Sequence, residues 1–248
     1  MIYDILNEMR TPGKKIWMYG DSFSFPTSHP QFTQEYYSKC DKYDARYQVD
    51  MFWFNYISNK RKLKPIILSH GGHSNSWILR SIVKSMKYWK SGDEIYIGHT
   101  YPHRYELAID SKFHKISNHV TINQMKSQYP WVTDFYKNWI LSPECQLEYW
   151  DNLNDIVEFG KSNGLKIKSW FWGEYFNELE NFSIATNRDI VDDHPSPKGQ
   201  YKLYEIIENL PWYHQSKFND NYNPLVDGVR LETEKERKVL DFFRNLNS

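Results

Sequence analysis

Three polar residues near the two ends of the chain have side chains of the types that acyl transfer needs. Ser22 follows a short apolar run, Ile16 to Tyr19, and His194 lies far downstream with Asp192 two residues before it. A serine hydroxyl attacks a carbonyl only when a neighbouring base takes its proton, and an aspartate can hold the histidine that acts as that base. We therefore take Ser22, His194 and Asp192 as a candidate catalytic set.

Each of these residues also has a purely structural interpretation. Ser22 or Asp21 could cap a following helix, which serine and aspartate do often. The stretch from Asp192 to Pro195 could be an Asp-Pro turn with a histidine facing solvent. Asp193 is a second choice for the orienting acid, although neighbouring side chains in an extended segment point apart.

Donors for an oxyanion are the next requirement of acyl transfer. Gly71 and Gly72 follow the second apolar run, and glycine allows the close approach and unusual dihedral angles that a backbone donor needs there. Asn75 is either a side-chain donor or, like Ser74, the N-cap of the next helix.

Three histidines near the predicted strand ends raise the alternative of a zinc site with water as the fourth ligand. They are His73, His99 and His103. No HExxH motif or matching carboxylate spacing accompanies them, and we predict no metal.

The elements that must position these residues alternate between strand and helix. Such alternation predicts a parallel sheet with helices on both faces, and polar residues then meet at the carboxyl ends of the strands. The predicted strands are 15–19, 64–70, 94–98 and 165–172, and the predicted helices are 2–10, 49–60, 75–89, 143–159, 198–209 and 232–246.

The remaining segments carry weaker signals. Residues 23–48 predict a long loop, 105–142 show no clear strand and are helical in part between 121 and 140, and 173–190 read as connecting structure. We predict a main domain over residues 1–210 and a helical C-terminal extension, residues 211–248, packed on the same domain.

Composition bounds the partners. Lys+Arg and Asp+Glu both number 31, so no basic excess points to nucleic acid. No apolar run reaches the ~20 residues that cross a bilayer, and the N-terminus does not resemble a signal peptide. We expect a cytoplasmic protein with no nucleic-acid or membrane partner, although one that leaves the cell inside a virion would look the same.

Several stretches together resemble the SGNH hydrolases, also called GDSL-type esterases and acylhydrolases. Residues 20–24 (GDSFS) resemble the first block of that family, and residues 192–199 (DDHPSPKG) resemble the last. The third block, usually Gly-x-Asn-Asp, is replaced by residues 98–101 (GHTY). Residues 71–75 (GGHSN) and Arg104 resemble a divergent branch that is associated with phage and bacterial genomes.

The resemblance implies a flavodoxin-like three-layer α/β/α sandwich and ester hydrolysis without a cofactor. Ser22 would be the nucleophile, His194 the base and Asp192 the orienting acid. The implied oxyanion donors are Ser22, Gly72 and Asn75, and the implied substrate-binding residues are Asp21, Thr100 and Arg104, the last of which could instead tie two loops with a salt bridge.

The expected reaction is therefore hydrolysis of a small-molecule or glycan ester through an acyl-enzyme. Aromatic residues make up 17% of the chain, and aromatic surfaces stack on sugar rings, so O-deacetylation of a carbohydrate is the preferred reaction. The altered third block keeps a second function open, a catalytically weak or inactive binding or structural module, for example of a phage particle. The sequence leaves the oligomeric state open.

Overall fold

The structure is a computed structural model. It describes residues 2–21, 24, 53–100, 104–110, 112–116, 125–140, 142–171, 183–186, 190–195 and 197–214. At residues 2–4, 113, 143, 146, 183–186, 190–195 and 197–200 the description covers the backbone and not the side chains. The predicted loop 23–48 and the predicted helix 232–246 lie outside the described residues, apart from Ser24.

Helices and strands alternate through most of the described chain. The strands are β1 (Lys15–Gly20), β2 (Lys64–Ser69), β3 (Glu94–His99), β4 (Tyr105–Ile109), β5 (Lys112–Ile116), β6 (Lys166–Phe171), β7 (Ser183–Thr186) and β8 (Ile190–Pro195). The helices are α1 (Ile2–Arg10), α2 (Trp53–Arg61), α3 (Asn75–Ser85), α4 (Val132–Phe135), α5 (Pro143–Ser162) and α6 (Pro197–Asn209). A 3₁₀ turn, Met86–Tyr88, follows α3, and a π-helical turn, Tyr136–Ile140, follows α4.

A four-stranded parallel sheet in the order β2-β1-β3-β6 forms the centre of the fold. Every residue of β1 and β3 is buried, as expected of central parallel strands, which are covered on both faces. The prediction of a mixed α/β fold around a parallel sheet is confirmed, and each of the four predicted strands lies within two residues of its observed bounds.

Alternate strand residues supply two hydrophobic clusters, as the two-residue period of a strand requires. Trp17, Ile95 and Ile167 pack with residues of α1, α3 and α5. Ile16, Tyr96 and Trp170 pack with residues of α2 and α6. The sheet therefore contributes to two separate cores.

The start of the sheet is fastened by one buried carboxylate. Asp93 accepts hydrogen bonds from the Lys15 backbone N–H (2.9 Å) and from Trp17 Nε1 (2.8 Å). It also accepts from the Lys90 backbone N–H at 3.1 Å. These bonds join the beginnings of β1 and β3. They help to fix the register between the two strands that carry the candidate site.

Two antiparallel hairpins depart from the sequence prediction. β4 and β5 pair within a region that we expected to lack strands, and β7 and β8 pair where we expected connecting structure and a turn. The β4–β5 hairpin turns at Asp110, whose φ of +49° suits aspartate better than most residues. It packs with residues 125–140 in a third, smaller hydrophobic cluster.

The segment after α6 continues along the open side of β6. The Tyr213 N–H donates to the Ile167 carbonyl at 2.6 Å, and the Ser169 N–H donates to the His214 carbonyl at 3.3 Å. In the part of the chain that the structure describes, no helix is long and apolar enough to cross a membrane.

Candidate active site

The candidate site lies at the carboxyl edge of the sheet, where β2, β1 and β3 end side by side. Gly20 of β1 is paired with Ser69 of β2, and Tyr19 with Ile97 of β3, so the three strands stop at nearly the same level. The His70 N–H then donates to the Gly20 carbonyl at 3.2 Å. Residues that follow these strands are therefore brought to one edge, as the sequence predicted.

Asp21, Thr100 and Arg104, the three predicted substrate-binding residues, form one hydrogen-bonded network. Asp21 is fully buried, and its Oδ2 accepts from Thr100 Oγ1 at 2.7 Å and from Arg104 Nη1 at 2.9 Å. Arg104 Nη1 also donates to Thr100 Oγ1 at 2.8 Å. The network ties the end of β1 to the end of β3, while 19% of the Arg104 side chain remains exposed to solvent.

Asn75 joins the loop after β2 to the end of β3. Its Nδ2 donates to the Thr100 carbonyl at 3.0 Å, and its Oδ1 accepts from the Thr100 N–H at 2.9 Å. Both residues are buried. An amide nitrogen carries two hydrogens, so one N–H of Asn75 is left for a second acceptor, which an oxyanion could be.

Ser74, and not Asn75, is the N-cap of α3. Its backbone is extended, with φ −90° and ψ 166°, and its side chain accepts from the Trp77 N–H at 3.2 Å. That bond satisfies one of the free donors of the first helical turn. Of the two roles that the sequence left open for Asn75, the cap is wrong.

Gly72, a predicted oxyanion donor, has the left-handed backbone that the sequence analysis anticipated. Its φ is +72°, a conformation that side-chain-bearing residues rarely adopt. Among the described residues, no atom lies within 4 Å of a Cβ built on Gly72, so the positive φ, and not close packing, is what favours glycine here.

Ser22, the candidate nucleophile and oxyanion donor, lies outside the described residues. The described residues on either side of it, Asp21 and Ser24, are joined by a hydrogen bond from the Ser24 N–H to the Asp21 carbonyl at 3.1 Å. Ser24 is fully buried against Gly20, where an added Cβ would lie 2.2 Å from Ser24 Oγ. Glycine at position 20 is thus required by close approach.

Asp192 and His194 lie in β8, and only their backbone is described. Asp192 pairs with Ile184 of β7, next to an irregularity in the register at residues 183 and 184. The structure therefore places these residues in a strand that leads to α6, and the structural alternative of an Asp-Pro turn is wrong. Their roles as orienting acid and base stay predictions.

His99 is the most deeply buried imidazole among the described residues. Its Nδ1 is hydrogen bonded to the hydroxyl of Tyr149, and its ring packs edge-to-face on Trp150 at 4.9 Å. Its Nε2 has no hydrogen-bond partner among the described residues. Burial lowers the pKa of His99 to about 3, so the ring is neutral at physiological pH.

Sequence reasoning missed a second polar cluster at this edge. His73 Nδ1 lies 2.6 Å from Glu106 Oε1, and the other carboxylate oxygen of Glu106 is paired with Arg80. Lys115 Nζ lies 3.3 Å from His73 Nε2. Glu106 and Lys115 belong to the unpredicted β4–β5 hairpin, whose signal was the alternation of Tyr105, Leu107 and Ile109.

The structure describes two of the three histidines of the zinc alternative. His73 is bonded to Glu106, His99 is enclosed by aromatic rings, and His103 lies outside the described residues. Among the residues that the structure describes, no group of three histidine, cysteine or acidic side chains is placed to hold a metal ion.

No protein-family model matches the chain, and no curated protein matches it significantly.

Proposed function

We propose that the chain is a serine ester hydrolase of the SGNH type that acts through an acyl-enzyme. The observation that carries the proposal is the Asp21–Thr100 hydrogen bond, which joins the ends of β1 and β3. In the sheet, β2 lies on one side of β1 and β3 lies on the other side. The direction in which successive strands are added therefore reverses between β1 and β3. Open α/β sheets bind their ligands at such a point, outside the carboxyl ends of the strands.

The proposed fold is the flavodoxin-like three-layer α/β/α sandwich. Its support is the order β2-β1-β3-β6 and the separation of the helices into two groups, α1, α3 and α5 with one core and α2 and α6 with the other. The catalytic serine of an SGNH hydrolase follows the first strand of that sheet. Ser22 stands in that place in the sequence, directly after buried Asp21.

In the proposed reaction, Ser22 Oγ attacks the carbonyl carbon of the ester while His194 takes the hydroxyl proton. His194 then gives the proton to the leaving alcohol, and water hydrolyses the acyl-enzyme by the reverse sequence. Asp192 orients His194. The N–H groups of Ser22 and Gly72, with the second N–H of Asn75, would hold the oxyanion, and one such donor is typically worth ~3–4 kcal/mol.

A glycan ester is the proposed substrate class, with O-deacetylation as the reaction. Its support is a row of aromatic rings whose first member, Tyr105, follows Arg104 in the sequence. Tyr105 contacts Phe135 at 6.1 Å between ring centroids, and Phe135 contacts Trp131 at 6.0 Å. Trp131 is 47% exposed, so the row ends in a ring that can stack on a sugar.

Serine-directed labelling tests the catalytic proposal directly. We expect wild-type protein to hydrolyse p-nitrophenyl acetate and to be labelled by a fluorophosphonate at Ser22. We expect Ser22→Ala to lose both, and Ser24→Ala, the matched control from the same segment, to retain both. Absence of both signals in the wild type, or labelling that survives Ser22→Ala, would contradict the proposal. A screen of acetylated sugars then identifies the substrate.

One observation favours the second candidate, a binding module of low or no activity. The side chain of Asn75, which would replace the missing third-block asparagine, is already paired with both backbone groups of Thr100. A protein of that kind, for example in a phage particle, would bind a polysaccharide in affinity electrophoresis while failing the labelling test.

A further inference from the structure

The β4–β5 hairpin brings a lysine, a carboxylate and a histidine together outside the proposed catalytic set. Glu106 and Lys115 are directly opposite each other in the antiparallel register. His73, from the loop after β2, contacts both: its Nδ1 lies 2.6 Å from Glu106 Oε1 and its Nε2 lies 3.3 Å from Lys115 Nζ. The imidazole therefore connects the carboxylate to the amine.

The imidazole is held on several sides, so this geometry is fixed. The ring of Trp77 stacks on His73 at 3.9 Å with 14° between the planes, and the ring of His70 meets it edge-on at 4.7 Å. Arg80, on α3, pairs with Glu106, whose side chain is 3% exposed. Arg80 thereby keeps the carboxylate in place for His73.

The hydrogen bonds determine the tautomer of His73. An ionised carboxylate only accepts, so the hydrogen of neutral His73 is on Nδ1 and points to Glu106. Nε2 then carries a lone pair, and the ammonium of Lys115 donates to it. This is the arrangement of an oriented base with a nucleophile, with an amine in the place of a hydroxyl.

The surroundings make the Lys115 ammonium easier to deprotonate than that of a fully solvated lysine. Burial lowers the pKa of Lys115, and Glu106 opposes that shift. Burial also lowers the pKa of His73, with the charges of Lys115 and His70 acting in the same direction and Glu106 in the other. Lys115 nevertheless remains an exposed residue, so a reagent can reach it.

We propose that Lys115 is a reactive amine, an acylation site for activated acyl groups such as aryl esters and thioesters, with His73 as its base. Lys115 first loses a proton to solvent through His73 Nε2. The neutral amine attacks the acyl carbon, a C–N bond forms, and the bond to the aryl oxide or thiolate breaks. The positively charged nitrogen of the tetrahedral adduct gives its extra proton to His73 Nε2 and then to water, while Glu106 stabilises the imidazolium.

Site-resolved acetylation tests this proposal independently of the esterase. Full-length Ser22→Ala protein, which cannot form the proposed acyl-enzyme, is treated with p-nitrophenyl acetate between pH 6.5 and 10, and acetyl-lysine is quantified by mass spectrometry. Lys112, an exposed lysine on the same strand, is the internal control. At pH 7.5 we expect Lys115 to react about tenfold faster than Lys112, below the roughly 10²–10⁴ of a general base acting on a bound substrate.

The His73→Gln variant assigns the effect to the imidazole. We expect it to slow acetylation of Lys115 about tenfold and to leave Lys112 unchanged, with far-UV circular dichroism to verify folding. Because the comparison of Lys115 with Lys112 in the parent protein needs no change at His73, it decides the proposal even if this variant does not fold. Acetylation of Lys115 at or below the rate of Lys112, or at an unchanged rate in folded His73→Gln, would overturn it.

Discussion

Replacing Asn75 by alanine tests how the candidate site is held together. The substitution removes both hydrogen bonds between the Asn75 amide and the backbone of Thr100, at 3.0 and 2.9 Å. Thr100 is 1% exposed, so its N–H and carbonyl would lose their partners in a buried setting. An unpaired buried polar group costs ~1–3 kcal/mol.

The expected loss follows from those two groups. Taking a middle value for each and allowing for partial relaxation gives a decrease of about 3 kcal/mol in the free energy of unfolding. For a denaturant slope of about 3 kcal/mol per molar urea, the unfolding midpoint would fall by about 1 M. Equilibrium urea unfolding, followed by tryptophan fluorescence and circular dichroism, measures this shift.

Asn152→Ala is the matched control. Its Nδ2 also donates to a backbone carbonyl, that of Glu148 at 2.7 Å, but the bond lies on the exposed surface of α5. We expect Asn152→Ala to change stability by less than about 0.5 kcal/mol. If Asn75→Ala also stays below about 1 kcal/mol, the two bonds to Thr100 do not hold the loop after β2 against the end of β3.

Two further predictions concern the same edge of the sheet. Gly20→Ala should destabilise the fold by ~1–3 kcal/mol, because the new Cβ would lie 2.2 Å from Ser24 Oγ. Thermal unfolding measures this loss of stability. The double variant Gly20→Ala with Ser24→Gly should recover part of it. The pKa of buried His99 is about 3, below its unfolded value of 6.5, so the unfolded chain binds more protons between these pH values and stability falls as pH is lowered through this window. His99→Gln should remove this pH dependence, which has a slope of at most about 1.4 kcal/mol per pH unit. Stability profiles of the variant and the wild type that run parallel between pH 6.5 and 5 would contradict the low pKa of His99.

The parallel sheet was predictable because its strands carry local signals. β1 and β3 are short, almost wholly apolar runs that end at Gly20 and close to Gly98. Burial on both faces produces such runs, and the helices between them show the helical period. The meeting of Asp21 with Thr100 then follows from parallel pairing, since the carboxyl ends of adjacent strands share one edge.

The two hairpins were not predicted because their stability comes from partners distant in sequence. In β5, Lys112, His114 and Lys115 leave few apolar positions, and the connection at residues 110–111 lacks the glycine that usually marks a hairpin. Glu106 looks like a surface residue in the sequence. It is buried because Arg80, on α3, pairs with its carboxylate and His73, from the loop after β2, donates a hydrogen bond to it.

The role of Asn75 shows a limit of motif reasoning of another kind. The sequence offered a helix cap or an oxyanion donor, since asparagine serves as either. The structure gives the cap to Ser74 and binds Asn75 to the backbone of Thr100, 25 residues away. Every residue type except proline offers the same backbone N–H and carbonyl, so nothing in the sequence identifies Thr100 as the partner of Asn75.

The ion pair of fully buried Asp21 and partly exposed Arg104 is hard to explain by stability alone. Moving a charge such as that of Asp21 out of water costs several kcal/mol, and apolar residues of similar volume are often as stabilising as a buried ion pair. Here the pair lies at the point where the strand order reverses, one residue before Ser22 in sequence. A carboxylate fixed by Thr100 and Arg104 sets the position of the backbone that leads from β1 into residue 22. A nucleophile must lie within about 3 Å of its base and therefore needs a backbone that is fixed in this way, whereas a binding surface tolerates larger displacements. We therefore propose that this network serves to position residue 22, and the labelling of Ser22 decides between the enzyme and the binding module.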